Sequence, residues 1–588
     1  MNIQIIFPPV SDPRGPHLAP AALAAALRRA GHRVVLRDLD LELALFLLQP
    51  DILQEHLHKA RALFETLDVH GPRSDWKTLA WRQKIGERLS NAEAVIKKIP
   101  DQVAVLQGDR FYDSRAYYAA RRMIDAALGL VCCSCDYDLS YTMDGQNFET
   151  RFDAAHLGHL LEAVKDDRAN LFGALYERRG LHDTVAARPD MAGICILNYQ
   201  QILPGLTLAK KLKDAGLFVV IGGTVFSKFI DALEQNPAFF TLCNAVAVCE
   251  GETALCRLAD ELARSPAACD LAAVPNLIWA DNGAVRVNRP FHVEDLGRLP
   301  EPDFTGLPLE RYLAPATVLP YNLGKGCYWN SCRFCEIPLI NNLSGARYRV
   351  KTARLIVDQL EELSQRFHTP YFQFTDESCP PELLEEMTDL IMARNLKINY
   401  LCYARLEEGF TEEQLKKLHA GGLRKLMFGL ESGSDRMLKI MNKGITAAQA
   451  ERVIRNCGRA HVNFKLFVIM GLPGETLEDA WETRLFLQSV SPVLKDPLNH
   501  VEINLFHLDA FSCFGKNLDR FGITLPGKDR GEFYLGTSNF SCPGSMDKKA
   551  LHQFISQTRE ELASLTDMQA KHSGWEEYSL LCASRAKP

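Results

Sequence analysis

Long hydrophobic runs are missing from this chain. No apolar stretch reaches the ~18 residues that a membrane span needs, so a spanning helix is not expected. The start, MNIQIIFPPVSDPRG, has neither the basic opening nor the apolar core of a secretion signal, and a cytoplasmic location is expected. Charge of one sign is also lacking: 67 Lys and Arg face 73 Asp and Glu, a formal net charge of -6. With no basic patch and no aromatic ladder, nucleic acid is not an expected partner. Internal repeats and low-complexity tracts are absent as well, which excludes repeat architectures and disordered scaffolds.

What is present is a globular composition, 47% hydrophobic and 24% charged, over 588 residues, a length that calls for two or more domains. Seventeen cysteines in a reducing compartment point to metal binding or catalysis where they cluster, and to buried apolar thiols where they do not.

The N-terminal part alternates strand and helix. Ile3–Phe7 stops at Pro8-Pro9, Ala19–Ala30 is a run of helix formers closed by Gly31, and Arg33–Leu36 is the next strand. The grammar returns at Met191–Leu197, Leu206–Ala215, Leu217–Ile221 and Ala245–Val248, which predicts a doubly wound, Rossmann-like parallel sheet over 1–290. Residues 42–188 interrupt it as a largely helical insertion, less regular around Gly108–Tyr141. Strands Asn276–Trp279 and Ala284–Val287 flank the turn Asp281-Asn282-Gly283, and the prolines of 291–320 suggest an extended linker. Over 321–510 the alternation resumes with strands at Tyr371–Thr375, Ile398–Tyr403, Lys425–Gly429, Phe464–Ile469 and His500–Leu505. Five or six such units predict an α/β fold with a complete or partial (β/α) barrel, its chemistry at the carboxyl ends of the strands. Residues 511–588 form a C-terminal cap with a helix near Lys548–Ser564.

The strongest signal is Gly324-Lys-Gly-Cys327-Tyr-Trp-Asn-Ser-Cys332-Arg-Phe-Cys335. Three thiolates can hold three irons of a [4Fe–4S] cube and leave the fourth open to a chelating ligand, whereas a cluster that only carries electrons usually has four protein ligands. A zinc knuckle or a chance grouping are the alternatives. Cys132-Cys133-x-Cys135 shows no fourth ligand and has apolar neighbours, so core thiols are expected there rather than a second cluster. Cys379 reads as a pocket wall.

The cysteine segment is similar to that of the radical S-adenosylmethionine superfamily, with one departure: four residues rather than three separate the first two cysteines. The resemblance implies that Cys327, Cys332 and Cys335 ligate the cluster, that its open iron binds S-adenosylmethionine, and that Phe334 lies against the adenine. It further implies that Asp376 and Glu377 bind the amino group, that Arg405 pairs with the carboxylate, and that Glu431 and Ser432 take the ribose. Ile469 and Gly471 would line the adenine. These segments follow the cysteines in order, each at a strand end. Ahead of them, the domain order and the Gly-Gly and Glu-Gly-Glu loops resemble the cobalamin-binding domain of many such enzymes. That likeness implies cobalamin contacts at Pro8, Asn198, Gly222, Gly223, Glu250 and Gly251. The Asp-x-His-x-x-Gly motif that ligates cobalt elsewhere is absent, with His17 only a weak stand-in. A Rossmann-like domain that has lost its cofactor and serves as a substrate platform is the alternative.

The resemblance implies reductive cleavage of S-adenosylmethionine, hydrogen abstraction from an unactivated carbon of a peptide or small natural product, and methyl transfer from cobalamin. An electron donor such as flavodoxin or ferredoxin would be its partner. Rearrangement, cyclisation or oxidation without methyl transfer is the rival within enzymes. A cobalamin or iron–sulfur sensor without turnover is the rival outside them.

Overall fold

Strand β1 (Asn2–Phe7) is almost wholly buried because it is central: β2 (Arg33–Asp38) pairs with it in parallel on one side and β3 (Met191–Cys195) on the other. Strands β4 (Phe218–Gly222) and β5 (Ala245–Ala247) continue the parallel sheet. An antiparallel hairpin of β6 (Leu277–Asp281) and β7 (Ala284–Val287) completes the order β2-β1-β3-β4-β5-β6-β7. The hairpin turns at Asn282 and Gly283, with φ of +49° and +82°, the positive pair that matches the twist of its strands. The computed structural model describes residues 1–67, 76–143, 147–264, 269–527, 529–566 and 576–585.

The insertion is helical, as its composition suggests, and most of the stretch expected to be less regular is one helix, set between a short turn and the loop 134–139. Ser114–Cys133 is a 20-residue helix, started by Asp113, whose carboxylate accepts the N–H groups of Arg115 and Ala116 as an N-cap does. Cys132 and Cys133 are buried at its end, and the Trp81 indole donates to the Cys133 carbonyl at 2.8 Å. Burial pushes Cys132 up to about 12 and Cys133 up to about 11, as expected of inert core thiols.

The sheet and insertion belong to a first unit, residues 1–294, 300–317 and 530–533. The last four are a strap from late in the sequence. Phe533 sits edge-on to Phe229 with ring centres 5.3 Å apart and 5.4 Å from Phe239. Its N–H donates to the Ala155 carbonyl at 2.8 Å, and the Glu532 carboxylate accepts the Leu157 N–H at 2.9 Å.

The second unit comprises residues 295–299, 318–529 and 534–588. Six parallel strands follow one another in sequence and in space: β8 (Val318–Tyr321), β9 (Tyr371–Phe374), β10 (Asn399–Ala404), β11 (Leu423–Glu431), β12 (Asn463–Met470) and β13 (His500–Leu505). β8 and β13 are the two edges, so the barrel is partial. β8 falls inside the proline-rich stretch read as a linker. An edge strand tolerates Pro320 because one side of its backbone needs no ladder donor. The cap helix Lys548–Thr566 packs on helix Leu477–Ser489 through Trp481 and Phe554, edge to face at 5.3 Å. Among the described residues no helix is long and apolar enough to cross a membrane.

Candidate active site

Every residue singled out in the second unit lies at or just beyond the carboxyl end of a parallel strand, so one edge of the barrel collects them. Cys327, Cys332 and Cys335 follow β8 and are half-buried. Burial pushes the Cys335 thiol up to about 12, with smaller upward contributions from Cys332, Glu377 and Cys327, which places three thiols and one carboxylate in one neighbourhood. Among the described residues no three His, Cys, Asp or Glu side chains are gathered around a single-ion position. Three thiols in one neighbourhood are the set a cube calls for, in which each thiolate takes a different iron.

The two acids after β9 divide. Asp376 is buried, and its carboxylate accepts the main-chain N–H groups of Leu323 and Gly324 at 2.8 and 2.7 Å. Burial pushes it up to about 6, against those two hydrogen bonds and the charge of Lys351. Asp376 therefore clamps the root of the cysteine loop, while Glu377 is exposed beside the thiols. Arg405, expected to face a substrate carboxylate, is buried and already engaged. Its Nε donates to Glu407 at 2.8 Å, its Nη2 to the Lys443 carbonyl at 2.6 Å, and its guanidinium lies 4.5 Å from the centre of the Trp329 ring.

Glu431 ends β11 with a left-handed φ of +66°, next to a register shift between Gly429 and Glu431. Such a conformation in a non-glycine residue is costly and tends to mark functional positions. Its carboxylate accepts from Lys443 Nζ at 2.8 Å, a buried pair. Lys443 in turn stands 5.7 Å from the centre of the Phe334 ring. Ser432 is turned inward, bonded to the Thr483 hydroxyl at 2.9 Å and accepting the Ser434 N–H at 3.1 Å; it shapes the loop. Lys443 and Trp329 were not foreseen. Their signal was weak: a lysine before the left-handed Gly444, and a tryptophan inside the lengthened cysteine spacer.

Ile469 is half-buried near the end of β12 and Gly471 follows it. Glu475 closes that loop, accepting the N–H groups of Gly471 and Leu472. Burial pushes Glu475 up to about 7, although both hydrogen bonds oppose the shift. A carboxyl raised from its ordinary value costs stability as pH rises, because the folded state resists ionisation that the unfolded chain allows. Glu475→Gln carries no such cost. Its advantage over the unaltered protein should grow by about 3 kcal/mol between pH 4.5 and 8, measured by denaturant midpoints. An unchanged difference across that range would contradict the assignment.

Residues 321–487 match the family model of the Radical SAM superfamily. This stretch is a radical SAM domain. The chain is 26% identical over 312 residues to an uncharacterized methyltransferase of Pyrococcus horikoshii, covering 51% of this chain and 64% of that protein. It is 28% identical over 202 residues to bacteriochlorophyllide d C-8(2)-methyltransferase of Chlorobaculum tepidum, covering 32% and 41%. The chain thus spans less than two thirds of either relative. Among solved structures, the radical S-adenosylmethionine methyltransferase TsrM of Kitasatospora setae, with cobalamin and a [4Fe–4S] cluster bound, matches 97% of this chain and 92% of its own. Its TM-score is 0.56 at 17% identity. The likeness extends the shared fold well beyond the radical SAM domain.

In the first unit, the carboxyl edge of β1, β3, β4 and β5 gathers the remaining residues. The Pro8 carbonyl accepts from Gln201 Nε2 at 2.6 Å, and the Asn198 side chain accepts the Gln201 N–H at 3.0 Å. Glu250 accepts the Glu294 N–H at 2.6 Å, and Gly251 follows it. Gly223 has a φ of +137°, and a Cβ there would overlap the Ile196 carbonyl. This glycine answers first to a close backbone approach between strand ends, as does Gly222, whose Cβ would press on the Ala247 carbonyl at 3.0 Å. His17 lies flat on Phe7, ring centres 3.8 Å apart, and burial holds its pKa down despite Asp38.

Proposed function

We propose that this chain is a cobalamin-dependent radical S-adenosylmethionine methyltransferase of the cytoplasm. It would act on an unactivated carbon of a peptide or small natural product and draw electrons from a flavodoxin or ferredoxin. The observation that carries this reading is the architecture: a doubly wound sheet unit and a radical SAM domain in one chain, sharing the fold of a methyltransferase solved with both cofactors over nearly its full length. The methyltransferase names of the two curated relatives support it.

Cys327, Cys332 and Cys335 would hold a [4Fe–4S] cluster, which would supply the electron for cleavage of S-adenosylmethionine, and a bound cobalamin would supply the methyl group. The chain's own residues bind and orient. Asp376 fixes the root of the cysteine loop. Glu377, exposed beside the thiols, would accept the ammonium of S-adenosylmethionine, for which charged acceptors at short range are needed. Lys443, with Arg405 behind it, brings positive charge for the carboxylate, Glu431 would take the ribose hydroxyls, and Phe334, Ile469 and Gly471 would flank the adenine. The edge formed by Pro8, Asn198, Gly222–Gly223 and Glu250–Gly251 would hold the cobalamin.

With methyl-deuterated S-adenosylmethionine, reductant and the true substrate, the product should gain a labelled methyl group. One 5′-deoxyadenosine and one S-adenosylhomocysteine should form per turnover. Product that forms with 5′-deoxyadenosine alone would replace methylation by rearrangement or oxidation. Because His17 lies flat on Phe7 and is half-buried, it should not ligate the cobalt from below. Incorporating 15N-histidine should leave the cob(II)alamin resonance spectrum unchanged, and altered superhyperfine splitting would refute this.

A further inference from the structure

The unusual cysteine spacing has a structural counterpart. Between Cys327 and Cys332 the chain must turn back within four residues, and it does so with Asn330 at a left-handed φ of +48°, a conformation asparagine tolerates better than most side chains. The preceding Trp329 lies against the segment 440–444. Its indole N–H donates to the Asn442 carbonyl at 2.8 Å. The far edge of its ring fills the space that Gly444 leaves: a Cβ there would overlap the indole, and Gly444 has a φ of +74°. The opposite demand comes from Arg405, whose guanidinium is 4.5 Å from the ring centre, within the range of cation–π attraction. Three further bonds fasten the same two segments. Asn442 Nδ2 donates to the Ser331 carbonyl at 2.9 Å, the Arg333 N–H to the Met441 carbonyl at 2.9 Å, and Arg333 Nη1 to the Ile440 carbonyl at 2.9 Å.

Lys443 stands in the middle of the segment so held. Its carbonyl is fixed by Arg405 and its ammonium by Glu431, 2.8 Å away, near Phe334. Both neighbours of Lys443 in sequence touch the indole, and its carbonyl is bound by the arginine stacked on that same ring. Displacing Trp329 therefore moves Lys443 without touching its side chain.

We infer that Trp329, carried by the lengthened spacer between Cys327 and Cys332, is a positioning residue that sets Lys443 for S-adenosylmethionine and so couples the cysteine loop to the cosubstrate site. The inference rests on the reading of this barrel as an S-adenosylmethionine site. It assigns the extra spacer residue a purpose: a loop one residue longer can carry an indole across to the segment after β11.

The test is a double-mutant cycle in the reconstituted full chain, using Trp329→Phe, Lys443→Arg and the pair. Trp329→Phe keeps a ring but loses the N–H donor, and Lys443→Arg keeps the buried charge but changes its reach. Both single variants should retain iron content and cluster absorbance. Each should raise the KM for S-adenosylmethionine about tenfold with little change in kcat, and the pair should show hardly more than either alone, the non-additivity of residues acting through one contact. The change that S-adenosylmethionine induces in the reduced cluster's resonance spectrum should weaken in Trp329→Phe. A multiplicative, roughly hundredfold rise in the pair, or an ordinary KM in Trp329→Phe, would overturn the inference. Loss of the cluster in Trp329→Phe would overturn it too, leaving Trp329 as a support for the loop alone. Failure of the unaltered protein to cleave S-adenosylmethionine would overturn the underlying reading, and is told apart because it needs no variant.

Discussion

Replacing Cys327, Cys332 and Cys335 together by alanine should remove the cluster's visible absorbance and reduce 5′-deoxyadenosine formation to assay background. The chain has seventeen cysteines, but those outside this loop offer no comparable set. Cys132 and Cys133 are sealed in the insertion, and Cys379, Cys402 and Cys457 are buried with raised thiol pKa values or in packed strands and helices. The three loop thiols are half-buried, so alanine there removes little packing, and the thermal midpoint of the metal-free protein should hardly move. Retained cluster absorbance in the triple variant would place the ligands elsewhere and sink the assignment. A large loss of stability without metal would show that these cysteines serve the fold instead.

The second large effect should come from the Lys443–Glu431 pair. Both partners are buried, with side chains 8% and 9% exposed. Lys443→Met leaves the Glu431 carboxylate buried without its counter-charge, and Glu431→Gln does the converse. Breaking a buried ion pair from one side typically costs about 3–5 kcal/mol, whereas replacing both partners is often close to neutral. Each single variant should therefore lower the unfolding free energy of the second unit by that amount, and Glu431→Gln/Lys443→Met should recover most of it. Activity should not recover: the double variant, folded and with its cluster, should still cleave S-adenosylmethionine at least about a hundredfold more slowly, since interactions made at the reacting end of a substrate are worth several kcal/mol. A double variant that regains both stability and cleavage would reduce the pair to a core feature.

Much of the fold was legible because parallel strands buried on both faces read as short apolar runs set off by turn residues. His500–Leu505 has the same limits in sequence and structure, and β3, β4, β9 and β12 differ by a residue or two. The strand that was missed, Val318–Tyr321, contains Pro320 and sits among prolines, so composition spoke for a linker. Only its place at the sheet edge makes the proline acceptable. The middle of the insertion was read as less regular because aromatic and small residues blur its helical period; Tyr117, Ile124 and Leu128 are buried along one helix there. In the candidate site, strand-end position located Asp376, Arg405 and Glu431 but not their partners. Lys443 meets Glu431 across 12 residues of sequence and Trp329 meets Arg405 across 76. No local pattern records such meetings, and a lone acid in a loop does not announce whether it faces a ligand or, as Asp376 does, two backbone N–H groups.

The four residues Arg530–Phe533 also bear on how the protein can be made and divided. On the ribosome, the pocket of Phe229 and Phe239 emerges long before the phenylalanine that covers it, which lies more than two hundred residues later in the first unit's own membership. At ~5–20 residues per second, that apolar surface waits for tens of seconds without its cover. A gene fragment ending anywhere between the sheet and Phe533 would leave it bare for good. Cutting the chain at the boundary between the units therefore does not yield two finished domains. The N-terminal fragment should come off the ribosome aggregation-prone, and supplying a peptide that spans 529–534 in trans is the natural way to make it soluble.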